Sequence, residues 1–100
     1  MKSEPRTECR TPTPNKNSTT IPSWKFDALA KLVLQVVADA NSVGLLFSEL
    51  PDRVREELSS DVLDKLGSLG WHVTTVKLEL EVRGDLRRIA GVTPQRLVLG

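Results

Sequence analysis

The sequence predicts a mostly helical fold that ends in a small β-hairpin and is preceded by a disordered tail. Three features of the 100 residues carry this expectation. Polar, proline-rich composition stops near residue 22. An apolar stripe at helical spacing follows it. Two short segments around a Gly-Val-Thr-Pro turn close the chain.

Residues 1–22 hold four of the six prolines, and Met1 and Ile21 are their only large apolar residues. Such a segment buries too little surface to offset roughly 1–2 kcal/mol of backbone entropy per ordered residue, so a disordered N-terminal tail is expected over 1–22 and one domain over 23–100. Ser23 is placed to cap a first helix, with Leu29, Leu32, Val33, Val36, Val37 and Ala40 on one face and Asp27, Lys31, Gln35 and Asp39 opposite. Asn41-Ser42 ends that helix. Val43 to Phe47 suits a brief strand or a buried turn. Ser48 is placed to cap a second helix, with Pro51 in its first turn and Leu50, Val54 and Leu58 facing inward. Ser60 is placed to cap a third, with Val62, Leu63 and Leu66 inward and Gly67 or Gly70 as its stop.

Two readings compete from Trp71 onward. Val76 to Arg83 alternates apolar and charged residues without fault, which is the period of a half-buried strand, and Gly70 looks like a helix cap feeding it. That reading gives an α+β fold whose helices are followed by a three-stranded antiparallel meander. Val73, Val76 and Leu80 also share helical spacing, and Lys, Leu and Glu are good helix formers. The second reading makes residues 73–83 a helix. The segments Asp85–Ala90 and Gln95–Leu99 then form a hairpin, the order in which a winged helix ends.

Composition excludes several function classes. A formal net charge of +1 argues against a strongly basic, non-specific nucleic-acid binder. One cysteine rules out an intramolecular disulfide framework. With no signal-peptide core in the first residues and no apolar run near the roughly 20 residues a bilayer requires, an intracellular protein, cytoplasmic or nuclear and without a membrane partner, is expected. His72 is the only histidine, and Cys9 lies 63 positions from it (72 − 9), so a nucleophile–base pair has no obvious members. The paired Cys and His spacings of a zinc site are missing. Gly67-Ser68-Leu69-Gly70 fits a GxxG string, but without a basic residue between the glycines it reads as a helix stop. No enzyme activity, metal, cofactor or small-molecule substrate is expected.

The order of features over residues 29–99 carries a resemblance. An amphipathic helix leads to Gly44-Leu45-Leu46-Phe47-Ser48-Glu49-Leu50, then to a helix through Arg53, Arg55 and Glu56, then to Leu69-Gly70-Trp71, with Asp85 to Ile89 before a last strand at Arg96 to Leu99. This resembles the LOTUS, or OST-HTH, domain of the winged helix-turn-helix superfamily. Residues 73–91, especially Leu78 to Gly84 and Arg87-Arg88-Ile89, are similar to the C-terminal winged helix of the bacterial DNA-processing protein A family, although Lys77 stands where that family would carry an apolar residue. The first resemblance implies binding of structured or G-rich RNA, or docking of a helicase, without catalysis. The second implies an accessory DNA-binding or interaction module.

Charge by segment sharpens the expectation. Residues 1–23 carry four basic and two acidic side chains, 24–68 five and eight, and 69–100 five and three, so an acidic helical half lies between two basic ends. In a winged helix Lys77 and Arg83 would sit on the recognition helix, and Arg87, Arg88 and Arg96 on the wing, as one phosphate-facing surface. His72, Thr74 and Thr75 would open that helix and reach bases or phosphates. The competing use of Arg83, Arg87 and Arg88 is pairing with Glu79, Glu81 and Asp85, and that of the threonines is capping. Trp71 either stacks a base or anchors the core. The expected function is therefore a non-enzymatic module binding RNA or DNA. The alternative is a protein-interaction module using the acidic helices around Glu49 to Asp64 or a Trp24–Phe26 patch.

Overall fold

The computed structural model describes residues 4–13, 16–40 and 43–100. Along the chain come β1 (Arg6–Cys9), β2 (Thr19–Pro22), α1 (Ser23–Asp39), β3 (Leu45–Leu46), a 3-10 turn (Phe47–Glu49), α2 (Leu50–Glu56), α3 (Ser60–Leu66), α4 (Leu69–Arg83), β4 (Leu86–Arg88) and β5 (Arg96–Leu99). Among the described residues the architecture is mixed α/β, with four helices, a β1–β2 hairpin and a three-stranded antiparallel sheet of order β3-β5-β4. None of these helices is long and apolar enough to cross a membrane.

The α1 stripe behaves as its spacing predicts, and Phe26, Leu29, Val33, Val36 and Val37 are buried. Ser23 does not cap it. Ser23 is its first residue, with its N–H donating to Pro5 O at 2.9 Å and its hydroxyl 2.8 Å from Thr7 Oγ1, so β1 closes the start of the helix. The proposed end at Asn41-Ser42 lies outside the described residues; α1 stops at Asp39. The second helix also lacks a side-chain cap, because Ser48 sits inside the 3-10 turn that leads into it. Ser59 rather than Ser60 caps α3, accepting from Val62 N at 3.3 Å.

Gly67 ends α3 at φ +86°, a conformation that side chains with a Cβ rarely adopt. Ser68 then caps α4 by accepting from Trp71 N at 3.3 Å. Gly70 is therefore inside the first turn of α4, and the helix begins at Leu69, earlier than the expected 73. The strand reading of residues 76–83 is corrected. That segment alternates so cleanly because α4 is covered on several sides, packing against α1, α2, α3, β1 and β4. Val73, Val76 and Leu80 enter the core, while Lys77 and Glu79 are buried along its flanks.

The expected C-terminal hairpin forms as β4 and β5, and β3 adds a third strand. In an antiparallel pair, residues directly opposite share a face. Leu45, Leu97 and Arg88 therefore share the inward face, which packs on α1 and α4, and Arg87, Val98, Arg96 and Leu46 share the outward one. Gly44 precedes this sheet at φ +90°, where a Cβ would lie 2.9 Å from Ile89 Cδ1 and 3.1 Å from Leu97 O, so the close approach requires glycine.

Residues 6–9 and 19–22 correct the disordered-tail expectation, because they pair as a hairpin. An isolated hairpin is marginal in water, and this one holds by inserting two side chains into a core built by other elements. Cys9 and Ile21 are each 2% exposed. Average composition misses two well-placed residues. Ile21→Ala is accordingly expected to lower the urea unfolding free energy by about 2–4 kcal/mol, whereas a disordered tail would leave the midpoint unchanged.

Candidate functional site

Two carboxylates on α4 organise most of the charge in the last third of the chain. Glu79 is 1% exposed at its side chain. Its Oε1 accepts from Arg10 N (2.8 Å) and Arg10 Nε (3.1 Å), and its Oε2 from Arg10 Nη2 (2.8 Å) and Arg83 Nε (2.7 Å). Burial alone would raise this carboxyl's pKa, but the Arg10 and Arg83 hydrogen bonds outweigh it and hold the value at about 2, against an ordinary 4.5. Two residues on, and about 200° around the helix at 3.6 residues per turn, Glu81 forms the second pairing. Its Oε2 lies 2.9 Å from Lys77 Nζ, and its Oε1 accepts from Arg88 Nε at 2.7 Å.

These pairings decide where the expected site residues go. Lys77 is 2% exposed, lies 4.5 Å from the centroid of the Phe47 ring, and has a pKa lowered by burial, so it has no route to a phosphate outside. Arg83 is held by Glu79 and lies over Phe26 at 4.6 Å. Arg88 points inward to Glu81. The recognition-helix and wing cations expected to act together are therefore split. Lys77 is inside, whereas Arg83 and Arg88 each give their Nε to a glutamate of α4 while their side chains stay 41% and 45% exposed. Arg87 and Arg96 remain on the outer face of the sheet, with Arg96 Nη1 donating to Gly44 O at 2.9 Å and Arg87 in no ion pair among the described residues.

Arg96 also borders a cleft of about 500 Å³ shared with Asp39, Gly44, Glu49 and Arg53. Arg53 is exposed and adds a third guanidinium to this side of the molecule. Its position in the acidic helical half hid it from the segment count. Arg10 was hidden in the presumed tail.

The solvent-facing side of α4 is uncharged. At about 100° per residue, Thr74, Leu78, Trp71, Val82 and Thr75 occupy one sector between the two carboxylate pairings, and all five are partly or largely exposed. Neither threonine caps the helix. His72 Nδ1 lies 2.6 Å from Ser68 O, and its ring meets Trp71 edge-on, with centroids 4.9 Å apart and planes at 84°. Trp71 is 49% exposed, so it does not anchor the core. Trp24 and Phe26 do not form one patch, because Trp24 is exposed and Phe26 is buried.

Catalytic groups do not gather here. Cys9 is buried, and its thiol is pushed up by burial and by the nearby Glu79 carboxylate, which disfavours the thiolate. Among the described residues no three His, Cys, Asp or Glu side chains cluster as a metal would need.

A family profile covers residues 6–97, from the first strand of the hairpin into β5. The chain belongs to DUF6958, a family of unknown function. No curated protein and no solved structure matches it. The DUF6958 match takes in both the hairpin and the helical body, the two parts that the Arg10–Glu79 pairing joins.

The folded-state pKa of Glu79 lies below its ordinary value, so its stabilisation is complete above pH 4.5 and fades as the pH falls toward about 2. Glu79→Gln is expected to lose about 3 kcal/mol at neutral pH and to show a flatter stability profile over that acid range in urea titrations. Arg88→Ala is expected to cost about 1 kcal/mol, lowering the thermal midpoint, while Arg87→Ala leaves the midpoint in place.

Proposed function

We propose that this DUF6958 chain is a non-enzymatic nucleic-acid-binding module of winged-helix type, using its β4–β5 wing as the phosphate contact. The reading is supported by the order α1, β3, α2, α3, α4, β4, β5 with a β3-β5-β4 sheet, in which α4 would take the place of the recognition helix. The observation that carries the reading is the sorting of the arginines. Once the cations paired with Glu79 and Glu81 are set aside, Arg87 and Arg96 share the outer face of the β4–β5 hairpin, and Arg53 lines the cleft that Arg96 borders together with Asp39 and Glu49. Guanidinium groups suit bidentate phosphate contact. With so few contacts the affinity is modest and salt-dependent, with a slope of log K against log salt of only about 2–3.

A protein partner is the second reading, favoured by the absence of charge on the exposed sector of α4. The two readings differ in salt dependence. Fluorescence anisotropy with labelled duplex DNA, single-stranded DNA and RNA at low salt is expected to show binding that Arg87→Ala/Arg96→Ala weakens at least about tenfold, while reducing the slope of log K against log salt by about 2. Arg83→Ala is expected to leave the slope unchanged. No binding at low salt, or binding indifferent to the double substitution, contradicts the proposal.

A further inference from the structure

We propose that the end of the molecule carrying Trp71 and Trp24 is a stacking platform for unpaired bases, so that the nucleic acid taken is single-stranded. This rests on the nucleic-acid reading above and narrows it. Trp71, in the first turn of α4, is 49% exposed, and Trp24, in the first turn of α1, is 38% exposed. One contact ties the start of α1 to the turn between α3 and α4. Lys25 Nζ donates to Leu66 O at 3.0 Å while lying 5.6 Å from the centroid of the Trp24 ring. Two residues beyond Leu66, Ser68 caps the turn that presents Trp71.

The chemistry of this end suits a nucleobase. An indole stacks on the π-face of any base, and such stacking tolerates sequence. The edge-on His72 ring, itself 2.6 Å from Ser68 O through Nδ1, fixes the Trp71 ring beforehand. Lys25 is held by a backbone carbonyl and not by a carboxylate, so its charge is left for a phosphate. Beside Trp71, the exposed sector of α4 presents threonine and aliphatic groups with no carboxylate to repel a backbone. Bases in a duplex are already stacked on each other, and only an unpaired base offers its face.

The chain contains two tryptophans and no tyrosine, so its emission reports on these two rings. Oligo(dT) and oligo(dA) of about 12 nucleotides, within the span of a single-strand groove, are titrated against the full chain beside a duplex of equal length. The expected results are quenching by the single strands and tighter binding of them than of the duplex. Trp71→Ala weakens single-strand binding about fivefold or more, whereas Trp71→Phe, which keeps a stacking face, stays within about threefold. Trp24→Ala gives a second, smaller loss, and circular dichroism checks the fold of each variant. If single strands bind by anisotropy and are released by Arg87→Ala/Arg96→Ala, yet quench neither tryptophan and ignore Trp71→Ala, the platform is wrong and the wing contact stands. Equal binding of duplex and single strand also overturns the platform. Failure of every oligonucleotide to bind overturns both.

Discussion

The burial of two carboxylates on one helix sets the terms for the rest of this structure. An isolated buried charge is strongly unfavourable, so Glu79 and Glu81 each need cations brought to them, and the chain supplies these from different elements. Arg10 comes from beyond β1, Arg83 and Lys77 from α4 itself, and Arg88 from β4. The β1–β2 hairpin and β4 are thereby fastened to opposite flanks of the same helix. Between the two pairings α4 keeps an uncharged, partly exposed sector, with Arg83 exposed at the helix end. Internal charge demand thus decides both the docking of the small elements and the character of the outer face.

Parts of this were legible in the residues. The α1 stripe has the right period over three turns: Leu29, Val33, Val36 and Val37 are buried as read, while Leu32 and Ala40 are only partly buried. The two short segments around Gly91 and Pro94 form the C-terminal hairpin because each strand is short, flanked by turn residues and adjacent in sequence. The α4 segment was ambiguous for a physical reason. Lys77, Glu79 and Glu81 occupy positions that periodicity counts as solvent-facing, and pairing lets them sit inside. Its start was misplaced because Gly67 and Gly70 are equally good stops on paper. Only Gly67 adopts the left-handed conformation, and Ser68 restarts the helix at once. The hairpin was missed because its stability lies in Cys9, Ile21 and Arg10, three residues whose partners are far away in sequence.

The candidate site shows the same division. The arginine content of the last third was visible, but its distribution was not, since Arg87 and Arg88 are neighbours with opposite fates. In a strand successive side chains face opposite ways, so one goes to Glu81 and the other to solvent. Lys77 stands where an apolar residue was expected and is buried like one, its charge met by Glu81 and its stem and ammonium set against Phe47. Outside these pairs, Arg87 and Arg96 remain on the outer face of the β4–β5 hairpin, Arg96 bonded to Gly44 O, and two exposed indoles stand at the helix starts.

The claim on which all of this depends is that Glu79 is an ionised carboxylate held between Arg10 and Arg83. Carbon-13 NMR titration of the side-chain carboxyl groups observes it directly. The structure predicts that the Glu79 resonance keeps its ionised shift through the ordinary carboxylate range and moves only near pH 2. A midpoint near 4.5 for Glu79 would mean that the hairpin is not docked on α4 and would contradict the account.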